Sequence, residues 1–443
     1  MNKLAAELNE TIQKKNPFVF SLLSNLGKKI FFPKGILTQA AEAKEKAYKM
    51  NATIGIATEH GEPMHLKGVS EQLNLKPTDV FPYAPPGGKM ELRQEWKNKL
   101  IQDNSSLAEQ DIHLPIVTHA ITHGLSIVAD LFCDSHDTVI VPDKLWGNYK
   151  LTFETRRDAQ FAYFPFFNEN KQFNIKGLAE TIEKSADEKL IILLNFPNNP
   201  TGYTPTEEEA NQLADVLRTQ AAAGKKLLVI VDDAYFGLFY EDSMKESIFS
   251  KIVHIHPNVF AVKLDGATKE EFVWGLRVGF LTFPNLDRDV NEALEKKVLG
   301  IIRSTISSGA HPSQTIVLNA LKHTSFQKEK TDKFNILLNR AKKVKDVLTE
   351  ETKYHDQWDH YPFNSGYFMC LRLHHVHAEE LRNHLLAQYG IGTIAINDSD
   401  LRIAFSCIEE SDIKTLFDTI YQAAVELTKE KHFPQILAGN DSI

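Results

Sequence analysis

Between about Leu92 and Thr324 the chain alternates short apolar runs with amphipathic stretches. Runs such as Thr138–Val141, Leu190–Leu194 and Leu227–Val231 are rich in β-branched residues and lack polar alternation. Strands buried on both faces of a parallel sheet carry that pattern. The clearest helix between them opens at Thr204–Glu209, where a threonine precedes three glutamates; the hydroxyl suits an N-cap and the acids suit the positive end of the helix. A further apolar run ending near Val262 breaks at Gly266, presents Thr268 and Lys269, and resumes just after Arg277. The last hundred residues read as an α+β unit, with strands at Gly366–Leu373 and Leu401–Phe405 between helices. The first eighty read as helical pieces, an extended stretch at Asn51–Ile56 and a proline-rich turn at Phe81–Gly88. The expected architecture is α/β: a large domain over residues 81–325, flanked by residues 1–80, which supply one part of a smaller domain and a dimer arm, and by 326–443, which supply its other part.

Composition narrows the class without naming a chemistry. The 443 residues are 42% apolar and 24% charged, ordinary values for a soluble globular protein with room for a sizeable core. A formal net charge of −8 gives no electrostatic reason to expect nucleic acid or an anionic membrane as partner. Cys133, Cys370 and Cys407 are far apart and in no Cys-x-x-Cys spacing, which argues for a reducing compartment and against a disulfide framework or zinc site. The stretch Met1–Glu7 has no apolar h-region, and no apolar run approaches the ~18 residues of a spanning helix. The expectation is a cytoplasmic protein.

Ligands of such folds gather where strands end and helices begin, so the polar residues closing the apolar runs carry the chemistry. Asn199 follows the Leu190 run within Asn198-Asn199-Pro200-Thr201-Gly202. Asp232-Asp233-Ala234-Tyr235 follows the Leu227 run, and a carboxylate there is costly to desolvate unless something cationic meets it. Ala120-Ile121-Thr122 precedes a helix starting near Thr122, where free amides and a hydroxyl suit a phosphate. Trp146 offers an aromatic plate after the Thr138 run. Lys269 and Arg277 read equally as two solvated cations on a loop, or as an imine-forming lysine and a phosphate clamp. One ligand would employ the whole set: a phosphorylated pyridine aldehyde, which needs an amine, an anion for its ring nitrogen, donors for its phenolate, a ring to stack on and a phosphate cup.

In this ordered set the chain resembles the pyridoxal-phosphate-dependent aminotransferases of class I/II, the type I fold of the aspartate aminotransferase kind. The resemblance spans about Asn51 to Phe405. It implies a mainly parallel seven-stranded sheet between helices and a homodimer with shared sites. It implies that Lys269 is the Schiff-base lysine and acid/base, and that Asp232 pairs with the pyridinium nitrogen. Asn199 and Tyr235 would hold the phenolate oxygen and Trp146 would stack on the ring. The phosphate would rest on Ala120, Ile121, Thr122, Thr268 and Arg277, with Tyr83 reaching it from the partner subunit. Arg402 would grip the substrate α-carboxylate, Gly55 would close over it, and Arg303 would meet a distal carboxylate across the dimer. Asp233 is expected as a supporting or solvated acid.

The chain departs from the family pattern at Gly266, commonly a serine, and at Ala120-Ile121-Thr122, which carries fewer hydroxyls than usual. The expected activity is amino transfer from an L-amino acid, acidic or aromatic, to a 2-oxo acid. A β-lyase or synthase of the same fold shares these residues. A non-catalytic sensor module would need a basic DNA-reading helix, and none is visible before Asn51. His119 and His123 stand four apart without a third ligand, so no metal is expected. The His374, His375, His377 group reads as a solvated surface.

Overall fold

The computed structural model describes residues 1–33 and 35–437. Its contacts divide the chain into two units. The larger takes Met1–Pro33, His65–Asn199 and Thr204–Lys330; the smaller takes Lys34–Met64, Pro200–Tyr203 and Thr331–Ile443. Of residues 1–80, expected to supply part of the smaller domain and a dimer arm, the first helices and residues 65–80 cluster with the larger unit.

The larger unit is built on a seven-stranded sheet. In chain order its strands are β1 (Ile116–His119), β2 (Thr138–Pro142), β3 (Gln160–Phe164), β4 (Lys189–Asn195), β5 (Lys226–Asp232), β6 (Val259–Gly266) and β7 (Val278–Thr282), arranged β1-β7-β6-β5-β4-β2-β3. Only β7 runs against the rest. After their first residues β4 and β5 are buried throughout, because helices cover both faces, and their side chains stay apolar until Asn195 and Asp232 end them. The covering helices include α1 (Met90–Asp103), α2 (Ala120–Phe132) and α3 (Glu207–Ala222), followed by the one-turn α4 (Ala267–Glu270) and α5 (Arg288–Thr305). Helix α3 opens with the expected threonine cap: the Thr206 hydroxyl accepts from the Glu209 amide and the Glu209 carboxylate accepts from the Thr206 amide. Helix α1 is anchored by Trp96, whose ring stacks on Phe280 of β7 at 4.1 Å.

Register brings the chemistry to one edge. Asn195 pairs with Asp232 at the carboxyl ends of β4 and β5. Gly266 closes β6 opposite Gly279, and Val278 of β7 lies opposite His119, the last residue of β1. Parallel β1, β4, β5 and β6 therefore end, and antiparallel β7 begins, on the same side of the sheet.

In the smaller unit, β8 (Trp358–His360), β9 (Phe368–Leu373), β10 (Ile394–Ala395) and β11 (Asp400–Ala404) form an antiparallel sheet ordered β8-β9-β11-β10. Met50–Asn51 pairs with Ile391–Gly392, and the Ala404 amide donates to the Ala52 carbonyl at 2.9 Å, so the expected extended stretch continues along the end of β11. Helices α6 (Phe326–Glu350), α7 (Ala378–Tyr389) and α8 (Ile413–Leu437) complete the C-terminal region. Among the described residues no helix is long and apolar enough to cross a membrane, and no cluster of side chains could hold a metal ion. The three cysteines are free thiols.

Candidate active site of the larger unit

Asp232 ends β5 with its side chain almost fully buried. Tyr149 donates its hydroxyl to one carboxylate oxygen at 2.6 Å, and the Ala234 amide donates to the other at 3.0 Å. Burial nevertheless wins: it pushes the carboxyl up to about 6, against the Tyr149 hydrogen bond and the Lys269 charge that pull it down. Lys269, partly exposed on the turn that follows β6, shows the reciprocal effect. Burial pushes its amine down to about 8, opposed by the Asp232 charge and reinforced by Arg277. Its Nζ lies 5.1 Å from the centre of the Tyr235 ring, which is itself buried. An amine and a carboxyl that act on each other's charge, with pKa values displaced toward each other, are the ingredients of proton transfer near neutral pH.

Around this pair the expected residues gather unequally. Asn199 is buried, and its amide donates to Asn195 Oδ1 at 2.9 Å while Asn195 Nδ2 donates to the Asp232 carbonyl at 2.9 Å. Asn195 thus fastens the Asn199 loop to the end of β5. Trp146, half-buried, meets Tyr149 edge-on at 5.5 Å. Thr268 is buried on the lysine turn.

The phosphate cup has an unusual backbone. Ala120 opens α2 with φ of 62°, a left-handed conformation that glycine usually takes, and Arg277 stands at φ of 55°. Gly279 makes this possible: a Cβ there would stand 2.7 Å from the Ala120 carbonyl carbon and 2.9 Å from the Ile121 nitrogen. The first amides of α2 therefore sit directly against β7, two residues from the half-buried Arg277. His119 is pulled down by burial and then by the Arg277 charge, which places its ring in the same cationic field. The His119 amide donates to His123 Nδ1 at 3.1 Å, so the His123 ring is held by the backbone of His119.

Tyr83 is 92% exposed, and Arg303 is exposed on α5 with its guanidinium bonded to Ser307. In the smaller unit Arg402 is buried on β11, donates through Nη2 to the Thr53 carbonyl at 2.9 Å and lies 4.1 Å over the Phe368 ring. The Gly55 segment is held beside that strand's end, since Ser406 Oγ donates to the Ile56 carbonyl at 2.7 Å.

Sequence reasoning passed over Tyr149, although it stands three residues after Trp146 and is the side-chain donor to Asp232. Asp233 was expected as a supporting or solvated acid; it is buried, paired with Lys263 and bonded by Ser247.

The donor set suits pyridoxal phosphate. Helix amides and a guanidinium match its phosphate, and an amine matches its aldehyde. Burial outweighs the partners of Asp232, so a protonated ring nitrogen would complete that carboxylate's environment.

Comparison with known proteins agrees. The family model for "Aminotransferase class I and II" matches residues 4–420. The chain is 24% identical over 401 residues to the cytoplasmic aspartate aminotransferase of Oryza sativa, covering 88% of this chain and 95% of that one. It is 26% identical over 252 residues to the aspartate aminotransferase of Musicola paradisiaca, a match spanning 59% of that enzyme's length. Among solved structures an aminotransferase from Anaerococcus prevotii superposes with a TM-score of 0.78 at 24% identity, covering 89% of this chain and 97% of that one. A Thermus thermophilus aspartate aminotransferase with maleate gives 0.73 at 18%, covering 90% and 99%. The chain belongs to the class I and II aminotransferases, enzymes that depend on pyridoxal phosphate.

Proposed function

We propose that the protein moves an amino group from an acidic or aromatic L-amino acid to a 2-oxo acid by a ping-pong route, as a homodimer in the cytoplasm. The observation that carries this reading is the placement of Lys269, its Nζ 5.1 Å from the centre of the buried Tyr235 ring and in the field of the buried Asp232 carboxylate, with the amine pushed down to about 8 and the carboxyl up to about 6. The bound cofactor would supply an aldehyde for the amino group and a sink for the electron pair released when the Cα–H bond breaks.

The chain's own residues do the rest. Ile121 and Thr122 amides with Arg277 fix the phosphate, and through it the ring. Asp232, ionised above about 6, keeps a proton on the ring nitrogen, and Tyr149 aims the carboxylate that does so. Lys269, largely neutral above about 8, would take the proton from the substrate Cα and return it to the carbon on the far side of the transferred nitrogen, two bonds away. Asn199 and Tyr235 are assigned to the phenolate oxygen and Trp146 to the ring face. Arg402 is assigned to the substrate carboxylate, with Gly55 above it. Arg303 and Tyr83 are assigned across the dimer, in keeping with their exposure in a single chain.

The relatives named for aspartate support a dicarboxylic donor, and a substrate panel tests it. Aspartate, glutamate and aromatic amino acids are each supplied with 2-oxoglutarate or another 2-oxo acid, for wild type and Arg303→Ala. Turnover that needs the 2-oxo acid, with acidic donors weakened by the substitution, supports the reading. Pyruvate and ammonia released from a cysteine conjugate without any acceptor would replace it with a β-lyase. Undiminished aspartate and glutamate turnover in the variant would remove Arg303 from the site.

A further inference from the structure

The residues following Asp232 and Lys269 are both acids, Asp233 and Glu270, and both are buried. Their bonds lie apart from those of their neighbours. Where Asp232 receives Tyr149 and Ala234, Asp233 binds Lys263 and Ser247. Where Lys269 lies over Tyr235, Glu270 binds Lys99 through both oxygens, at 2.9 and 3.0 Å, and also Lys330.

The two acids end in one chain of buried charge. Lys263, on β6 with no exposure at all, also reaches Asp265 at 3.4 Å, and Asp265 accepts from Trp96 Nε1 at 3.2 Å. Lys99, one turn after Trp96 on α1, bonds Asp103 and lies 3.7 Å from Glu271, which Lys330 approaches at 3.3 Å. The Phe236 ring closes the gap between the halves, 5.1 Å from Lys263 Nζ and 5.9 Å from Lys99 Nζ, so it faces both ammonium groups. Gly237, at φ of 85°, lets the loop descend: a Cβ there would stand 2.7 Å from Glu270 Oε1.

Apolar residues of equal volume would stabilise such an interior at least as well as buried ion pairs. What directional bonds to fixed donors add is a defined orientation. We propose that Lys99 and Lys263 are positioning residues. Through Glu270 Lys99 fastens the turn carrying Lys269 to helix α1, and through Asp233 Lys263 fastens the loop carrying Asp232 and Tyr235 to β6, whose Asp265 takes the Trp96 bond from α1; together they set the approach of that amine to that carboxylate. The proposal rests on the reading of Lys269 and Asp232 as the cofactor residues.

The test compares wild type with Lys99→Met, Lys99→Arg and Glu270→Gln. In cofactor-free protein the pH dependence of reductive methylation at Lys269 is followed by peptide mass spectrometry, and in loaded enzyme kcat and KM are measured separately. In wild type the labelling midpoint is expected near 8, where burial and Asp232 set it. In Lys99→Met the amine loses its fixed seat and the midpoint rises by half a pH unit or more toward the solvated value. In that variant kcat falls at least tenfold while the donor KM changes less than threefold, and Lys99→Arg recovers most of both. A folded Lys99→Met protein with the wild-type midpoint and kcat overturns the proposal. If Lys99→Met does not fold, the nearly isosteric Glu270→Gln decides by the same two readouts. Failure of wild type to fix borohydride-reduced cofactor on Lys269 would instead strike the parent reading.

Discussion

Replacing Tyr149 by phenylalanine removes one hydroxyl from a fully buried ring and leaves its shape. The 2.6 Å bond it donates goes to an ionised carboxylate. Hydrogen bonds to charged groups are worth about 1.5–3 kcal/mol, which corresponds to a carboxyl titrating roughly one to two pH units higher. Starting from about 6, Asp232 in the variant would titrate between about 7 and 8. At pH 7 its ionised fraction would fall from about nine-tenths to about a quarter, and at pH 9 it would be nearly complete in both proteins. If the carboxylate must be ionised to meet the ring nitrogen, the cofactor Kd at pH 7 rises about fourfold from this cause, and the variant and wild type converge at pH 9. Fluorescence titration of cofactor-free protein with pyridoxal phosphate at both pH values measures this. A Kd ratio independent of pH would refute the electrostatic role given to Tyr149.

Three further outcomes follow from the same geometry. Gly279→Ala drives a methyl group into the Ala120–Ile121 backbone; it should cost about 1–3 kcal/mol of stability and weaken cofactor binding, read by melting temperature and by titration. Arg277→Ala should weaken the cofactor about tenfold or more by loss of a charge-assisted phosphate bond, whereas pyridoxal without its phosphate should bind wild type and variant alike. Folding lowers the Lys269 amine from 10.5 to about 8, so the unfolded chain holds more protons in that window and stability rises with pH across it. Relative to Lys269→Met, cofactor-free wild type should therefore gain up to about 3 kcal/mol between those pH values, seen in denaturant midpoints; parallel pH curves would exclude a buried amine.

The runs of β-branched residues at Thr138, Leu190 and Leu227 became β2, β4 and β5 because continuous apolar text has one stable home, a strand covered on both faces. Lys269, Arg277 and Asp232 stood out as candidates for the complementary reason, as ionisable groups interrupting such text at strand ends. Tyr149 was not legible, since a tyrosine in a partly aromatic segment reads as packing and its aim at Asp232 depends on the irregular turn of helix at Lys150–Thr155. Lys99, Lys263 and Glu270 drew no expectation from the sequence, because their pairing depends on α1 lying against β6. The edge strand β3 was missed because Gln160 and Tyr163 are exposed on it and break the apolar run. The placement of residues 1–33 with the larger unit depends on bonds such as Lys29 to Asp158, which no local pattern announces.

The central claim is that one amine holds the cofactor beside one carboxylate. Protein loaded with pyridoxal phosphate, reduced with borohydride and digested should carry the pyridoxyl mass on Lys269 alone, and Lys269→Ala should carry none while still folding. A pyridoxyl group on another lysine, or none on wild type under saturating cofactor, would contradict the account.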